Sequence, residues 1–201
     1  MDRVAEIRRM HGVALIRLES GETLRAPSAV YLESPLRPGQ PLDADAYRAF
    51  VNKVSDGHAL EAAMKYLALR ERSVREVKAR LRRACYGEET VERVVAALEK
   101  HHLLSDARMA DAWTASRSRK YGRNRVAREL RQKGIPDAEV RYALEAIPEE
   151  DEFRRALDQA RKLLRKFGGD RQKTVSALIR RGYPWPLARR AAEQAGEDDG
   201  Q

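Results

Sequence analysis

The sequence predicts an all-α protein: an elongated, curved tandem array of three three-helix repeats, preceded by a small N-terminal segment with some β character. Three observations lead to this prediction. Apolar residues recur at helical spacing from Ala59 onward. A short pattern of leucine, basic residues and a turn occurs three times, 48 or 49 residues apart. Charged residues make up 35% of the chain and aromatic residues 6%, which is typical of amphipathic helices rather than of a β-rich core.

Residues 1–56 carry the β character. Apolar stretches separated by turn residues predict short strands at 13–18, 22–25 and 29–32. Four prolines from position 27 to position 41 then favour an extended chain, and Asp43 is placed to cap a helix that begins near Asp45. A segment of this size buries too little apolar surface to be stable alone, so we expect it to pack on the helices that follow.

The repeated pattern defines the domain organisation. Each copy is a hexamer that ends a basic helix, makes a turn and precedes another helix; the copies are Leu81–Tyr86, Leu130–Ile135 and Leu178–Tyr183. The leading leucines are predicted to be equivalent and buried. Because each unit covers its apolar face partly with its neighbours, we predict repeats at 57–104, 105–148 and 149–196, followed by a disordered acidic tail at 197–201.

Helix-capping signals support these repeats. Ser73, with Glu76 three residues later, forms a capping box at the start of a helix. Gly134 and Gly182 suit the left-handed residue with which helices commonly end. Cys85 stands at the equivalent place in the first repeat, so we expect that repeat to turn differently.

No catalytic or metal-binding constellation stands out. The adjacent His101 and His102 project about 100° apart on a helix and cannot readily face one metal ion, so a helix-end role near the terminal carbonyls fits them better. Cys85 is the single cysteine, which excludes an intramolecular disulfide. We therefore predict a protein that is not an enzyme and needs no cofactor.

The compartment is predicted from what the chain lacks. The sequence begins without a signal-peptide pattern of charged residues followed by an apolar stretch. No apolar run approaches the roughly 18 residues of a membrane span. We expect a cytoplasmic monomer with no membrane association.

The basic residues are the candidate binding groups. The net charge is +9, and residues 117–133 hold eight basic residues against Glu129 alone, an excess that favours a polyanionic partner. Salt bridges within helices, such as Glu129 with Lys133, are the alternative interpretation, and we expect them to neutralise one charge rather than eight. The predicted partner- or DNA-binding residues are Arg75, Lys78, Arg82, Arg117, Lys120, Arg123, Arg125, Arg128 and Arg131.

Three motifs in order resemble the RecX family. They lie at 66–77 (YLALRERSVREV), 103–110 (LLSDARMA) and 123–135 (RNRVARELRQKGI), so the resemblance covers about residues 57–148, with the third repeat matching more loosely. Met109 departs from the family's usual phenylalanine, and Cys85 from its frequent glycine.

The resemblance implies a small bacterial regulator that binds the filament of the RecA recombinase on DNA and restrains it. In that family, ATP hydrolysis, strand exchange and co-protease activity fall, which links the protein to homologous recombination, DNA repair and the SOS response. A cationic array of this kind would lie along a filament groove and contact protein carboxylates and the phosphates of single- or double-stranded DNA.

Two other classes of function remain open. Three-helix units with a basic second helix also resemble helix-turn-helix transcription regulators, and in the second repeat Asn124 and Gln132 are the amides available to read bases. A repeat scaffold for an acidic protein would share the fold without binding DNA. We interpret Trp113 and Trp185 as core residues rather than as a platform for stacking bases.

Overall fold

The computed structural model describes residues 1–198, which are mostly helical and form two compact units, the first ending at Ser105 and the second beginning at Asp106. The first unit consists of β1 (Asp2–Met10), β2 (Val13–Leu18), β3 (Thr23–Pro27), α1 (Ser28–Glu33), β4 (Pro41–Leu42), α2 (Ala44–Leu67), α3 (Val74–Arg83) and α4 (Glu88–Lys100). The second unit consists of α5 (Asp106–Arg117), α6 (Arg123–Gln132), α7 (Asp137–Glu145), α8 (Glu149–Lys166), α9 (Arg171–Arg180) and α10 (Trp185–Asp198).

The N-terminal β character is a complete antiparallel sheet with strand order β3-β2-β1-β4. The alternation in β2 buries Ala14, Ile16 and Leu18 on one face. The strands predicted at 13–18 and 22–25 are confirmed as β2 and β3. β1 was not predicted, because its charged sequence has little alternation and a register shift interrupts it near Val4.

Residues 29–32 were predicted as a strand, and this is wrong because they belong to α1. Val30 and Tyr31 are adjacent and both buried, Val30 among the helices and Tyr31 among the sheet residues. An extended chain would point neighbouring side chains to opposite faces, whereas the short helix directs both into the interior. The Tyr31 hydroxyl also donates to the Leu36 carbonyl at 3.1 Å.

The predicted boundary between residues 56 and 57 is corrected, because it falls inside α2. Asp43 caps this helix as expected, accepting from the N–H groups of Asp45 and Ala46. Phe50 and Val51 then contact both the sheet core and the core of α2, α3 and α4. The N-terminal segment therefore packs on the helices that follow and shares one compact unit with the first repeat.

The helices pack in threes, as α2–α4, α5–α7 and α8–α10, and each set has its own apolar cluster. The leading leucines, Leu81, Leu130 and Leu178, are all fully buried, which confirms that prediction. α10 includes Glu197 and Asp198 because the helix packs along α8 and α9, so the tail predicted from residue 197 is corrected there. The remaining positions of that prediction, 199–201, lie outside the described residues.

The three hexamers form the same helix-ending turn. In the first, the Cys85 N–H donates to the Arg82 carbonyl at 2.9 Å and the Tyr86 N–H to the Leu81 carbonyl at 3.3 Å. The other two hexamers make the same pair of bonds, which is the Schellman pattern. Cys85 has φ +62°, in the left-handed region that Gly134 and Gly182 also occupy. The expectation that the first repeat turns differently is wrong: it makes the same turn with a less suitable residue.

Cys85→Gly is therefore expected to stabilise the protein by about 0.5–1 kcal/mol. A side chain in the left-handed region costs roughly 1–2 kcal/mol, and the greater freedom of glycine in the unfolded chain offsets part of the gain. Equilibrium urea unfolding measures the difference. Cys85→Ser keeps the strain and is the control, so a glycine variant no more stable than the serine variant would contradict the strain argument.

The second and third repeats are joined by a close backbone contact within the second unit. The turn between α9 and α10 lies on the start of α6, where the N–H groups of Gly122 and Asn124 donate to the carbonyls of Arg181 and Gly182, each at 3.0 Å. A Cβ atom on Gly122 would come within 2.4 Å of the Gly182 backbone. Glycine is required on both sides of this junction, because no side chain fits between the two segments.

Candidate nucleic-acid interface

The predicted binding residues belong to the first two repeats. Three lie on α3, which is the second helix of the first repeat, and four lie on α6, which is the second helix of the second repeat. Arg117 ends α5 and Lys120 follows it in the loop. On α6, Val126 and Leu130 are fully buried while Arg128 is exposed, as the periodicity predicted.

Three of the nine predicted residues present free cationic groups. Arg75, Lys120 and Arg128 are exposed, and the side chains of all three lack an ion-pair or hydrogen-bond partner within residues 1–198. A cation of this kind gains most from an incoming phosphate, because no internal contact must be broken first. We call these three residues the free cations.

Three more basic residues form exposed ion pairs with the third helix of their own repeat. The Lys78 ammonium lies 2.7 Å from the Glu92 carboxylate. Arg82 Nε donates to Glu88 at 2.9 Å, and the equivalent Arg131 Nε donates to Asp137 at 2.7 Å. Exposed pairs of this type contribute only about 0–1 kcal/mol. A strong anionic ligand can therefore displace these carboxylates.

Arg117 and Arg125 have a structural role around Glu129. Arg117 donates from Nε and Nη2 to the two carboxylate oxygens, each at 2.7 Å, and Arg125 Nε donates at 3.1 Å. Trp113 Nε1 donates to the same carboxylate at 3.1 Å. Both guanidinium groups also lie over the Tyr121 ring, at 4.5 and 3.7 Å from its centroid. This cluster ties α5 to α6, so replacing Arg125 would disturb the fold as well as the surface.

The cluster lowers the pKa of Glu129 from 4.5 to about 2, chiefly through the hydrogen bonds from Arg117 and then through those from Arg125 and Trp113. The folded-state pKa lies below the unfolded one. The stabilisation is therefore fully present above about pH 5 and is lost as the pH falls towards 2. A shift of this size corresponds to on the order of 3 kcal/mol.

We therefore expect Glu129→Gln to be clearly less stable than the wild type at pH 7 and to approach it as the pH falls to about 2. Urea unfolding of both proteins at several pH values measures this difference. A stability difference that stays constant over that range would contradict the assignment.

Arg123 is held inward at the junction of the second and third repeats. Glu152 is 1% exposed and accepts from the Arg123 backbone N–H at 2.7 Å and from its Nε at 2.5 Å. This pair anchors the start of α6 to α8 and leaves Arg123 less available to a ligand. Six of the nine predicted residues thus contact carboxylates, and all but the Arg125–Glu129 pair join different helices, which the expectation of salt bridges within helices did not consider.

The described histidine, cysteine and carboxylate groups do not assemble a metal site. Within residues 1–198, no three histidine, cysteine or carboxylate side chains come together as a metal ion would require. His101 caps the end of α4 and His102 follows in the left-handed conformation, so both occupy the helix end as predicted. Over the same part of the chain, no helix is long and apolar enough to cross a bilayer.

Comparison with known families and proteins shows which family this chain resembles. The family model described as "RecX, first three-helix domain" matches residues 59–98, and that described as "RecX, second three-helix domain" matches residues 105–144. The regulatory protein RecX of Amycolatopsis mediterranei is 34% identical over 137 residues, covering 65% of this chain and 78% of that protein. The chain belongs to the RecX family. Its RecX relative from Prosthecochloris aestuarii is 34% identical over 142 residues, covering 68% of this chain and 92% of the relative.

Solved RecX structures share the fold. A crystal structure of regulatory protein RecX superposes with a TM-score of 0.65 at 21% identity, covering 93% of this chain and 97% of that one. The crystal structure of RecX from Lactobacillus salivarius gives a TM-score of 0.66 at 20% identity, covering 70% and 96%. All nine predicted binding residues lie within the two matched RecX domains.

Proposed function

We propose that this RecX-family chain is a negative regulator of the RecA recombinase. It would bind the RecA–DNA filament through basic residues of its first repeat and of its second repeat and lower ATP hydrolysis, strand exchange and co-protease activity. Membership of the RecX family supports RecA as the partner. The observation that carries the mode of binding is that α3 and α6, the equivalent helices of the two RecX domains, each carry an exposed cation, Arg75 and Arg128, whose side chain has no partner among the described residues.

These cations suit a filament because it offers both phosphates and carboxylates. Arginine binds either group through paired N–H donors, and several separated contacts add up to a salt-dependent affinity. The mechanism requires no bond making or breaking by this chain: binding alone would favour a filament state with slower ATP turnover. The proposal includes our expectation of a cytoplasmic monomer.

The helix-turn-helix alternative is disfavoured by the start of α6. A recognition helix contacts base edges with its N-terminal residues. In this chain the Gly122 and Asn124 N–H groups at that end bond the turn between α9 and α10, and Glu152 accepts from the Arg123 N–H. The neighbouring repeat therefore covers the end of α6 that would have to enter a DNA groove.

A pull-down against RecA, with and without DNA and a non-hydrolysable nucleotide, tests the proposal. We expect strongest retention when RecA, DNA and nucleotide are all present, because together they form the filament. Equal retention by DNA alone, or selective retention by one duplex sequence, would contradict the filament-regulator proposal.

A further inference from the structure

An exposed apolar groove lies between α9 and α10 in the third repeat. Ile179 is 42% exposed and Trp185 57% exposed, and both line the groove together with the half-buried Val175. Its volume is about 560 Å³. The interpretation of Trp185 as a core residue is therefore wrong. The groove has no role in the basic surface described above.

Comparison of the repeats shows that the fold does not require these apolar residues. Residues 82, 131 and 179 are equivalent, and so are 88, 137 and 185, by the spacing of the hexamers. The first two repeats place an arginine–carboxylate pair at these positions, Arg82 with Glu88 and Arg131 with Asp137. The third repeat places Ile179 and Trp185 there instead.

At a second pair of equivalent positions the first repeat has an ion pair, whereas the second repeat has Ala127 and Arg141. Lys78 and Glu92 form an ion pair in the first repeat, and the corresponding residues in the third repeat are Val175 and Arg189. Internal packing of the third repeat relies mainly on fully buried residues such as Leu178 and Ala188, against which the half-buried Val175 also packs, whereas Ile179 and Trp185 are not part of that core. The apolar groove is thus a substitution on the solvent side, where large apolar groups are characteristic of a partner surface.

The charges around the groove favour a protein segment over a nucleic-acid strand. Arg189 is paired with Glu193 at 2.7 Å. Within the described chain, Arg171 is the one groove-lining cation without an ion pair or hydrogen bond. A nucleic-acid strand would require several cations along the groove. A bulky apolar side chain with a neighbouring carboxylate would instead match the apolar residues and Arg171.

We propose that the groove formed by Val175, Ile179 and Trp185 is the protein-docking surface of this chain. It would take a segment that carries one large apolar side chain and a carboxylate directed to Arg171. The identity of the partner, a RecA protomer in the filament, rests on the proposed function. The third repeat then holds the protein component of the filament, while the free cations of the first two repeats contact its DNA.

The repeats themselves supply the test variant. The double substitution Ile179→Arg with Trp185→Asp recreates the Arg131–Asp137 pair of the second repeat. It also puts an acidic residue in the first turn of α10, which lacks one, so the variant is expected to fold. Tyr142→Ser is the matched control, because Tyr142 is a 69% exposed aromatic residue on α7 that does not line the groove.

Affinity is measured for RecA filaments, assembled on single-stranded DNA with a non-hydrolysable nucleotide, and for the same DNA alone. We expect the double variant to bind filaments at least about tenfold more weakly and the naked DNA as the wild type does, while Tyr142→Ser changes neither. Undiminished filament binding by the double variant would overturn the inference and leave the proposed function standing. An equal loss on naked DNA would make the groove a nucleic-acid site. A wild-type chain that binds no filament would refute the proposed function and this partner together.

Discussion

Gly182→Ala is expected to lower the free energy of unfolding by more than about 3 kcal/mol. Gly182 has φ +94°, a conformation that costs a side chain roughly 1–2 kcal/mol. The added Cβ would also lie 2.4 Å from Arg125 Cβ and 2.5 Å from the Arg125 backbone nitrogen. Backbone cannot yield as a flexible side chain does, so the turn must move away from α6. The two backbone hydrogen bonds of the junction, each worth about 1 kcal/mol, are then lost.

Gly168→Ala separates the strain from the clash. Gly168 also has a positive φ, +62°, but a Cβ there would meet no atom within 4 Å. We expect this substitution to lower the free energy of unfolding only by the strain, roughly 1–2 kcal/mol. Urea unfolding followed by circular dichroism compares the two variants. Equal losses would mean that the contact between the second and third repeats contributes nothing to stability.

The helical repeats could be predicted from the sequence because their signals are local. Leu81, Leu130 and Leu178 recur with their basic neighbours and turn residues, and helical periodicity places them inside. The capping box of Ser73 and Glu76 needs only residues three apart, and both of its hydrogen bonds are present. Features that depend on residues within one turn of helix can therefore be predicted from the sequence alone.

The roles of individual basic residues could not be predicted, since their partners are distant in sequence. Glu129 lies 12 residues from Arg117, and Glu152 lies 29 residues from Arg123. Only the packing of α5 on α6 and of α8 against the start of α6 brings these groups together. A basic stretch was visible in the sequence, but its division into free cations and structural ion pairs depends on tertiary contacts.

The strand errors have a similar origin. The charged residues of β1 have no strand signal of their own, and the strand forms because β2 and β4 flank it. Residues 29–32 have strand-like composition, but burying the adjacent Val30 and Tyr31 together in the interior favours a helix. In both segments tertiary packing overrides local propensity.

Replacing the three free cations is expected to have the largest effect on DNA binding. If Arg75, Lys120 and Arg128 each contact one phosphate, their joint replacement by alanine lowers the salt slope of DNA binding by roughly three units. The fold should be unaffected, because these exposed side chains have no partners in the part of the chain that the structure describes. Affinity measured across a series of salt concentrations gives the slope.

The matched control removes the same charge elsewhere. Arg9, Arg25 and Lys53 are exposed and, within the described residues, also lack side-chain partners, and they lie outside both matched RecX domains. Their joint replacement by alanine is expected to leave the salt slope nearly unchanged. Equal slopes for the two triple variants would mean that overall charge, rather than the three free cations, drives binding.

The rate of ATP hydrolysis by RecA on single-stranded DNA, measured while this chain is titrated, tests the central claim most directly. The wild type is expected to lower the rate in a saturable manner, and the variant lacking the three free cations should need at least about tenfold more protein for the same effect. An unchanged rate at concentrations where the chain is bound to the filament would contradict its assignment as a negative regulator of RecA.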